Sequence, residues 1–373
     1  MRILLVGEYS NVHWTLAQGL RCLGHDVTVV SDGDGWKDYD RDISLTRRNT
    51  SRLGGLKYYV KSLLAFSQLK GFDVVQIINP MFMLLKAEKI MPFYKKLRNN
   101  NGKMFMGAFG MDKYWVKAGM DCKTFRYSDF NLGSQLRHSK LNDTYYNDWV
   151  LGAKGRLNEY IANDCDGIIS GLYEYDASYH SYFADKLCFI PFPIDTGKYQ
   201  PKVRKAQNGV VKFFIGIQKA RSEYKGTDIM LRALRRAKND FPDKCEVTIA
   251  ESLPFHQYVK ALDNSHVILD QLYSYTPAMN ALQAMAQGLV VVGGGEEENY
   301  NILGESVLRP IVNVLPTEDS VYNEITKLIK NPKLIERLSA QSVEYINRYH
   351  RHDAVAQRYL DFYNATPSSK QTP

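Results

Sequence analysis

The chain has few cysteines and none in a paired spacing. Cys22, Cys122, Cys165, Cys188 and Cys245 are odd in number and scattered, without a CxxC. That excludes a disulfide scaffold and points to buried thiols in a reducing compartment. Long apolar runs are missing too. The longest, residues 74–85, is broken by Gln76, Asn79 and Pro80 and is too short to span a bilayer. The opening MRILLVGEY enters a strand pattern without a leader's apolar region, so a cytoplasmic location is expected. Phosphate fingerprints are absent as well. Residues 7–12 (GEYSNV) hold one glycine where a dinucleotide loop needs three, although Asp32 stands where its acid would be. There is no GxxxxGK[ST] run. The eight histidines are dispersed, and the acid pair Asp32 and Asp34 reads as a turn, so no metal and no cofactor is expected. Low complexity is confined to a short tail, residues 365–373.

What is present is a repeated alternation of strands and helices. Residues 2–6 (RILLV) form a short apolar run. Residues 13–23 carry Leu16, Leu20 and Leu23 on one helical face, with Gly24 as C-terminal cap. Further apolar strands are expected at 27–30, 74–78, 103–107, 167–170 and 187–191. Residues 196–210 are polar and basic with Pro and Gly, and read as a linker. The pattern then restarts with strands at 211–215, 246–250, 266–270 and 289–292. A helix over 227–237 places Met230, Leu234 and Ala237 on one face, and residues 320–363 form a long closing helical stretch. Short apolar strands alternating with helices imply parallel sheets covered on both faces. The fold class expected is α/β with two Rossmann-like domains, 1–200 and 205–352, and a terminal helix 353–373 returning to the first. Ligands of such sheets bind at the carboxyl ends of the strands, here in a cleft between the domains.

Two segments carry chemistry. In residues 270–298 (DQLYSYTPAMNALQAMAQGLVVVGGGEEE), Thr276 and Pro277 read as N-cap and first helical residue. Ala278, Ala281, Leu282 and Met285 form the apolar stripe, with Asn280, Gln283 and Gln287 opposite. A helix start after a strand is a phosphate site or a plain surface helix. In residues 216–228 (GIQKARSEYKGTD), Lys219, Arg221 and Lys225 follow a strand and suit a diphosphate, or a solvated basic loop.

These segments resemble the GT-B glycosyltransferases, in particular the retaining enzymes that build bacterial cell-surface glycans. The resemblance covers almost the whole chain. It runs through residues 7–31 (GEYSNVHWTLAQGLRCLGHDVTVVS), 165–179 and 186–201, then RSEYKGTDIMLRAL and NALQAMAQGLVVVGG. It implies a nucleotide-diphosphate sugar as donor, held by Lys225 and by Lys219 or Arg221, with Arg221 favoured for its fork. Gly7, Asn11 and His13 would form the first domain's lip. Asp112, in FGMD, would be an acceptor-facing polar residue or a helix N-cap. Two positions depart from the family's Glu-x7-Glu donor motif, Tyr275 and Gln283 standing where it has carboxylates. Gln283 still offers a hydrogen bond, whereas Tyr275 has no carboxylate. The site expected from the resemblance therefore comprises His13 and Asp112 for catalysis. Gly7, Asn11, Lys219, Arg221, Lys225, Tyr275, Thr276, Pro277, Ala278 and Gln283 hold the donor. Glu296, Glu297 and Glu298 are expected to face sugar hydroxyls or solvent, since three acids would repel a diphosphate.

The function implied is metal-independent transfer of a sugar to a glycan or lipid-linked acceptor in cell-surface polysaccharide synthesis. A degenerate member that binds nucleotide sugar or a partner enzyme without catalysis is the alternative, and a sugar epimerase is a third reading. Charge gives one more clue. The chain carries a net charge of +8. Residues 51–100 hold Arg52, Lys57, Lys61, Lys70, Lys86, Lys89, Lys95, Lys96 and Arg98 against Asp73 and Glu88. The block reads as an anionic membrane surface's partner or as a solvated face. No nucleic-acid motif accompanies it.

Overall fold

The computed structural model describes residues 1–47, 49–251 and 255–368. Its strands, in chain order, are β1 (Arg2–Val6), β2 (Asp26–Ser31), β3 (Ile43–Ser44), β4 (Val74–Ile77), β5 (Lys103–Ala108), β6 (Asn131–Leu132), β7 (Gln135–Leu136), β8 (Gly167–Ser170), β9 (Leu187–Phe189), β10 (Val211–Ile217), β11 (Cys245–Glu251), β12 (Val267–Leu269), β13 (Val290–Gly293) and β14 (Val312–Asn313). They fall into two compact units. The first comprises 1–124, 138–195 and 352–373, the second 125–137 and 196–351. Residues 125–137, inside the stretch expected to belong wholly to the first domain, cluster with the second unit.

The first unit is a seven-stranded sheet in the order β3-β2-β1-β4-β5-β8-β9, every pair parallel. The inner strands read as continuous apolar runs because both faces are covered. Ile3, Leu4, Leu5 and Val6 are all fully buried. The helix Val12–Cys22 covers one face with Leu16 and Leu20. Leu23, expected on that face, lies past the helix end and is 38% exposed. The helix His352–Ala365 packs on the same unit through Phe105 against Phe362 and Tyr363, with centroids 5.4 and 4.7 Å apart. Gly19 permits the close approach of the two helices, since a Cβ there would sit 2.8 Å from that of Ala356. This last helix takes in Ala365, the first residue of the expected tail. Residues 369–373 of that tail lie outside the described residues.

The second unit is a five-stranded parallel sheet, β11-β10-β12-β13-β14. Met230, Leu234 and Ala237 of the helix Thr227–Asp240 bury against Phe213, Ile215 and Val267. The long closing stretch is three helices, Glu318–Lys330, Lys333–Tyr349 and His352–Ala365, and only the first two belong here. The expected linker is not loose. Arg204 is buried, its amide donating to Ser339 Oγ at 2.8 Å and its guanidinium reaching the Asp263 carbonyl. Basic composition alone hid this fastening.

Candidate functional site

Strand order decides where each unit can bind. In the second sheet the winding reverses between β10 and β12, and a ligand crevice is expected outside their carboxyl ends. The loop after β10 carries Lys219, Arg221 and Lys225, and Asp270 follows β12. Lys219 is exposed and paired with Glu251 at 3.1 Å, so it points away as a surface ion pair. Arg221 is different. Its Nε is buried and has no hydrogen-bond partner among the described residues, while its guanidinium lies 5.2 Å from the Tyr224 ring. Leaving such a donor unsatisfied costs about 1–3 kcal/mol, which an incoming anion would recover. The Lys225 charge holds down the carboxyls of Asp270 and Asp129, both pushed up by burial. Gly226 turns this loop at φ +73°, and a Cβ there would lie 2.6 Å from that of Leu272.

The helix of this site starts later than expected. It spans Met279–Ala286, with Ala278 at its N-cap and no side chain capping it. Thr276 is not the cap. The residue before a proline is driven to extended backbone, so Thr276 stays in the loop. There its carbonyl accepts from Ser274 Oγ, and the Tyr275 carbonyl accepts from the Glu296 amide at 3.0 Å. Pro277 accordingly precedes the helix. Asn280 donates to Asp270 at 3.0 Å, linking the first turn to the end of β12. Gln283 is half-buried on the same face as Asn280.

Residues 125–137 lie over this loop region as a strap built on the β6-β7 hairpin. Tyr127 stacks on Tyr275 at 4.9 Å, and Phe125 meets the same ring edge-on at 5.8 Å. The Arg126 amide donates to the Tyr275 hydroxyl at 2.7 Å. Tyr275 is therefore buried under the strap. Glu296 accepts from the Tyr127 hydroxyl at 2.6 Å and from Arg126 at 2.9 Å, and Glu298 pairs with Arg126. Glu297 pairs with Arg309 at 3.1 Å. Glu297 thus faces solvent as expected, whereas Glu296 and Glu298 are turned to the cation of the strap.

The first unit corrects the expectation for His13 and selects the helix N-cap from the two readings of Asp112. His13 is fully buried. Its Nδ1 hydrogen-bonds the Gly7 carbonyl at 2.8 Å, its Nε2 the Gln76 amide at 3.0 Å, and burial drives its pKa down to about 3. It is a neutral core histidine, not a cleft residue. Asp112 is likewise buried. It caps the helix Lys113–Met120 by accepting from the Trp115 amide at 2.8 Å and accepts from the Tyr179 hydroxyl at 2.9 Å. Burial raises its pKa to about 7. Gly7 (φ +85°) sits tight against Ile78, and Asn11 (φ +69°) precedes the first helix with a buried, unpartnered Oδ1 among the described residues.

One residue escaped the sequence reading. Glu8 accepts from the His13 and Trp14 amides at 3.2 and 2.9 Å, occupying the helix N-terminus with a carboxyl that burial raises to about 8. It also floors a cavity of about 1040 Å³ at the first sheet's reversal between β1 and β4. Arg47, Arg52, Lys86, Lys89 and Lys154 contribute cations to that cavity, and Tyr58, Phe82 and Leu85 contribute apolar wall. The helix Arg52–Gln68 beside it buries Tyr58, Ser62 and Phe66 but exposes Leu53, Leu56, Val60, Leu63 and Leu64 at helical spacing on its other side. Arg98 does not join this basic face. It is buried, paired with Asp166 at 2.6 Å.

Solved structures with the same layout include sucrose-phosphate synthase from Thermosynechococcus elongatus. It has a TM-score of 0.64 at 14% identity, covering 98% of both chains. HepE from Anabaena, in complex with UDP and glucose, scores 0.60 at 11% identity, covering 98% of this chain and 100% of its own. WaaG, a glycosyltransferase involved in lipopolysaccharide biosynthesis, scores 0.55 at 12% identity, covering 98% and 100%. The fold is GT-B. No protein-family model matches the chain, and no curated protein matches it. The GT-B likeness therefore rests on two parallel-sheet units in this order, matched end to end.

Proposed function

We propose that the protein is a glycosyltransferase. It moves a sugar from a nucleotide-diphosphate sugar to a glycan or lipid-linked acceptor. The observation that carries this reading is the buried, unpartnered Arg221 Nε beside Lys225 at the reversal point of the second sheet. HepE, which shares the fold, has been solved with UDP and with UDP-glucose, which supports a nucleotide-sugar donor. Departure of the sugar leaves negative charge on the diphosphate. Arg221, Lys225 and the uncapped helix start at Met279 are the groups that stabilise it. Pro277 and Ala278 lead the chain into that helix start, and Gln283 offers the nucleotide ribose a neutral hydrogen bond.

The acceptor belongs to the first unit, in the cavity above Glu8. Its cations suit an anionic head group and its aromatic wall an apolar body. The exposed leucines of the helix Arg52–Gln68, with Lys57 and Lys61 beside them, form a surface for an anionic lipid layer. Among the described residues no helix is long and apolar enough to cross a membrane. Each leucine stabilises lipid contact by roughly 1.5–3 kcal/mol when buried. Replacing Leu53, Leu56 and Leu64 together by glutamine should weaken binding to anionic vesicles at least about tenfold and leave the melting temperature unchanged. Equal binding by the triple variant would return this face to solvent.

The decisive test is incubation with UDP-, GDP-, ADP- and CMP-sugars and a membrane lipid extract, reading labelled product and its anomeric configuration by NMR. Transfer with retention is expected. One observation favours a second reading, a binder without turnover: Tyr275 lies sealed beneath Phe125 and Tyr127 where the resembled family has a carboxylate. Nucleotide binding without transfer or hydrolysis across the panel would establish that reading instead.

A further inference from the structure

The strap brings its own anion to the loop proposed to bind the donor diphosphate. Asp129 Oδ2 accepts from the Tyr224 hydroxyl at 2.7 Å, within the Lys219–Lys225 loop. The charges acting on it are those of Arg137, Arg221 and Lys225. A half-buried carboxylate held among three cations occupies the electrostatic place of a phosphate. The strap is fastened there by Arg137, whose contacts are with uncharged groups. The Arg137 guanidinium lies 3.4 Å from the Tyr273 ring centroid and donates to the loop carbonyls of Glu223 at 2.9 Å and Tyr224 at 3.5 Å, while its bond to the Asp129 carbonyl at 2.9 Å braces the strap internally. Arg137 thus holds the strap to backbone oxygens of the very loop that carries Arg221 and Lys225. At the strap's entry Cys122 takes a left-handed backbone, φ +54°, and at its hairpin Gly133 does so at φ +58°.

We propose that residues 125–137 form a closed lid over the diphosphate subsite, that Asp129 marks the position of a phosphate, and that a diphosphate binds by displacing it. This rests on the reading that the Arg221–Lys225 loop takes a diphosphate. The lid adds what that reading lacks, an internal competitor and the residue that latches it. The two latch elements make opposite electrostatic predictions, and so the lid can be told apart from simple charge. Removing Asp129 removes a negative charge. Removing Arg137 removes a positive charge, which should weaken anion binding if Arg137 acts only as a cation. If it latches the lid, its loss should instead ease displacement and tighten binding.

The test is isothermal titration of the full chain with inorganic pyrophosphate. Asp129→Asn keeps an acceptor for the Tyr224 hydroxyl, and its dissociation constant should fall roughly tenfold, the scale of one close charge contact. Arg137→Gln should also fall, by about threefold or more on the same scale. Asp243→Asn changes net charge equally at an exposed turn of the same unit, and should match wild type. Unfolding midpoints of each variant guard against misfolding. Weaker binding by Arg137→Gln, or an Asp129→Asn constant no different from that of Asp243→Asn, would overturn the lid. No pyrophosphate binding by any variant would instead overturn the placement of the diphosphate.

Discussion

Replacing Arg221 and Lys225 together by alanine is expected to abolish the thermal stabilisation that the matching nucleoside diphosphate gives the wild-type protein. Each residue would make charge-assisted hydrogen bonds to the diphosphate, contributing about 1.5–3 kcal/mol apiece. Loss of both weakens binding roughly a hundredfold or more by the same measure. A ligand at a hundred times its dissociation constant stabilises by about 2.7 kcal/mol, and a hundredfold weaker one by only tenths. The variants should fold. Arg221 already carries an orphaned donor, so its removal relieves a cost, and Lys225 is only half-buried. Lys219→Ala, an exposed ion pair with Glu251, should leave the nucleotide shift intact. The same shift in the double variant as in wild type would place the diphosphate elsewhere in the protein.

Much of the frame was legible because it is written in local patterns. Buried parallel strands are apolar on both faces, so runs such as 2–6 and 211–215 announced themselves. Gly24 reads as the cap that ends the first helix, and it does turn at positive φ, +83°. The site was legible only in its loop. Thr276 followed by Pro277 has the residue types of a capped helix, yet the proline itself holds Thr276 extended and delays the helix to Met279. His13 and Asp112 carry side chains suited to chemistry, but their burial and partners depend on Gln76 and Tyr179, 63 and 67 residues away. Glu8 is invisible to a glycine fingerprint, because its place in that loop is to fill the helix start with a buried carboxyl that accepts from two amides. The strap was illegible for the same reason at longer range. Arg126, Tyr127 and Asp129 find partners 95 to 172 residues on, and no periodicity within 125–137 reports them.

The buried carboxyl of Glu8 leads to a pH dependence whose sign is fixed by the direction of its shift. Burial raises it to about 8, the His13 and Trp14 amides only partly opposing. In the unfolded chain the same group titrates near 4.5. Between these values the folded state holds a proton that the unfolded state has lost, so stability falls as pH rises. Asp112, raised to about 7, acts in the same direction up to that pH. His13 acts oppositely, since its folded value of about 3 lies below its unfolded 6.5, but most of its effect falls below pH 6.5. The window from 6.5 to 8 therefore isolates the carboxyls. One group titrating only when unfolded costs about 1.4 kcal/mol per pH unit. Chemical denaturation of the wild type should lose roughly 2–3 kcal/mol over that window by this slope. Glu8→Gln cannot titrate, and its slope should shrink to under about 1 kcal/mol over the window, the part left to Asp112. The slope is the readout, because glutamine's amide nitrogen cannot accept one of the two helix N–H groups and lowers stability at every pH. A Glu8→Gln profile parallel to wild type would show that Glu8 is ionised in the folded protein. Its carboxylate would then stand as a permanent anion on the floor of the cavity, and an anionic acceptor head would have to rest on the Arg47, Arg52 and Lys89 side, away from it.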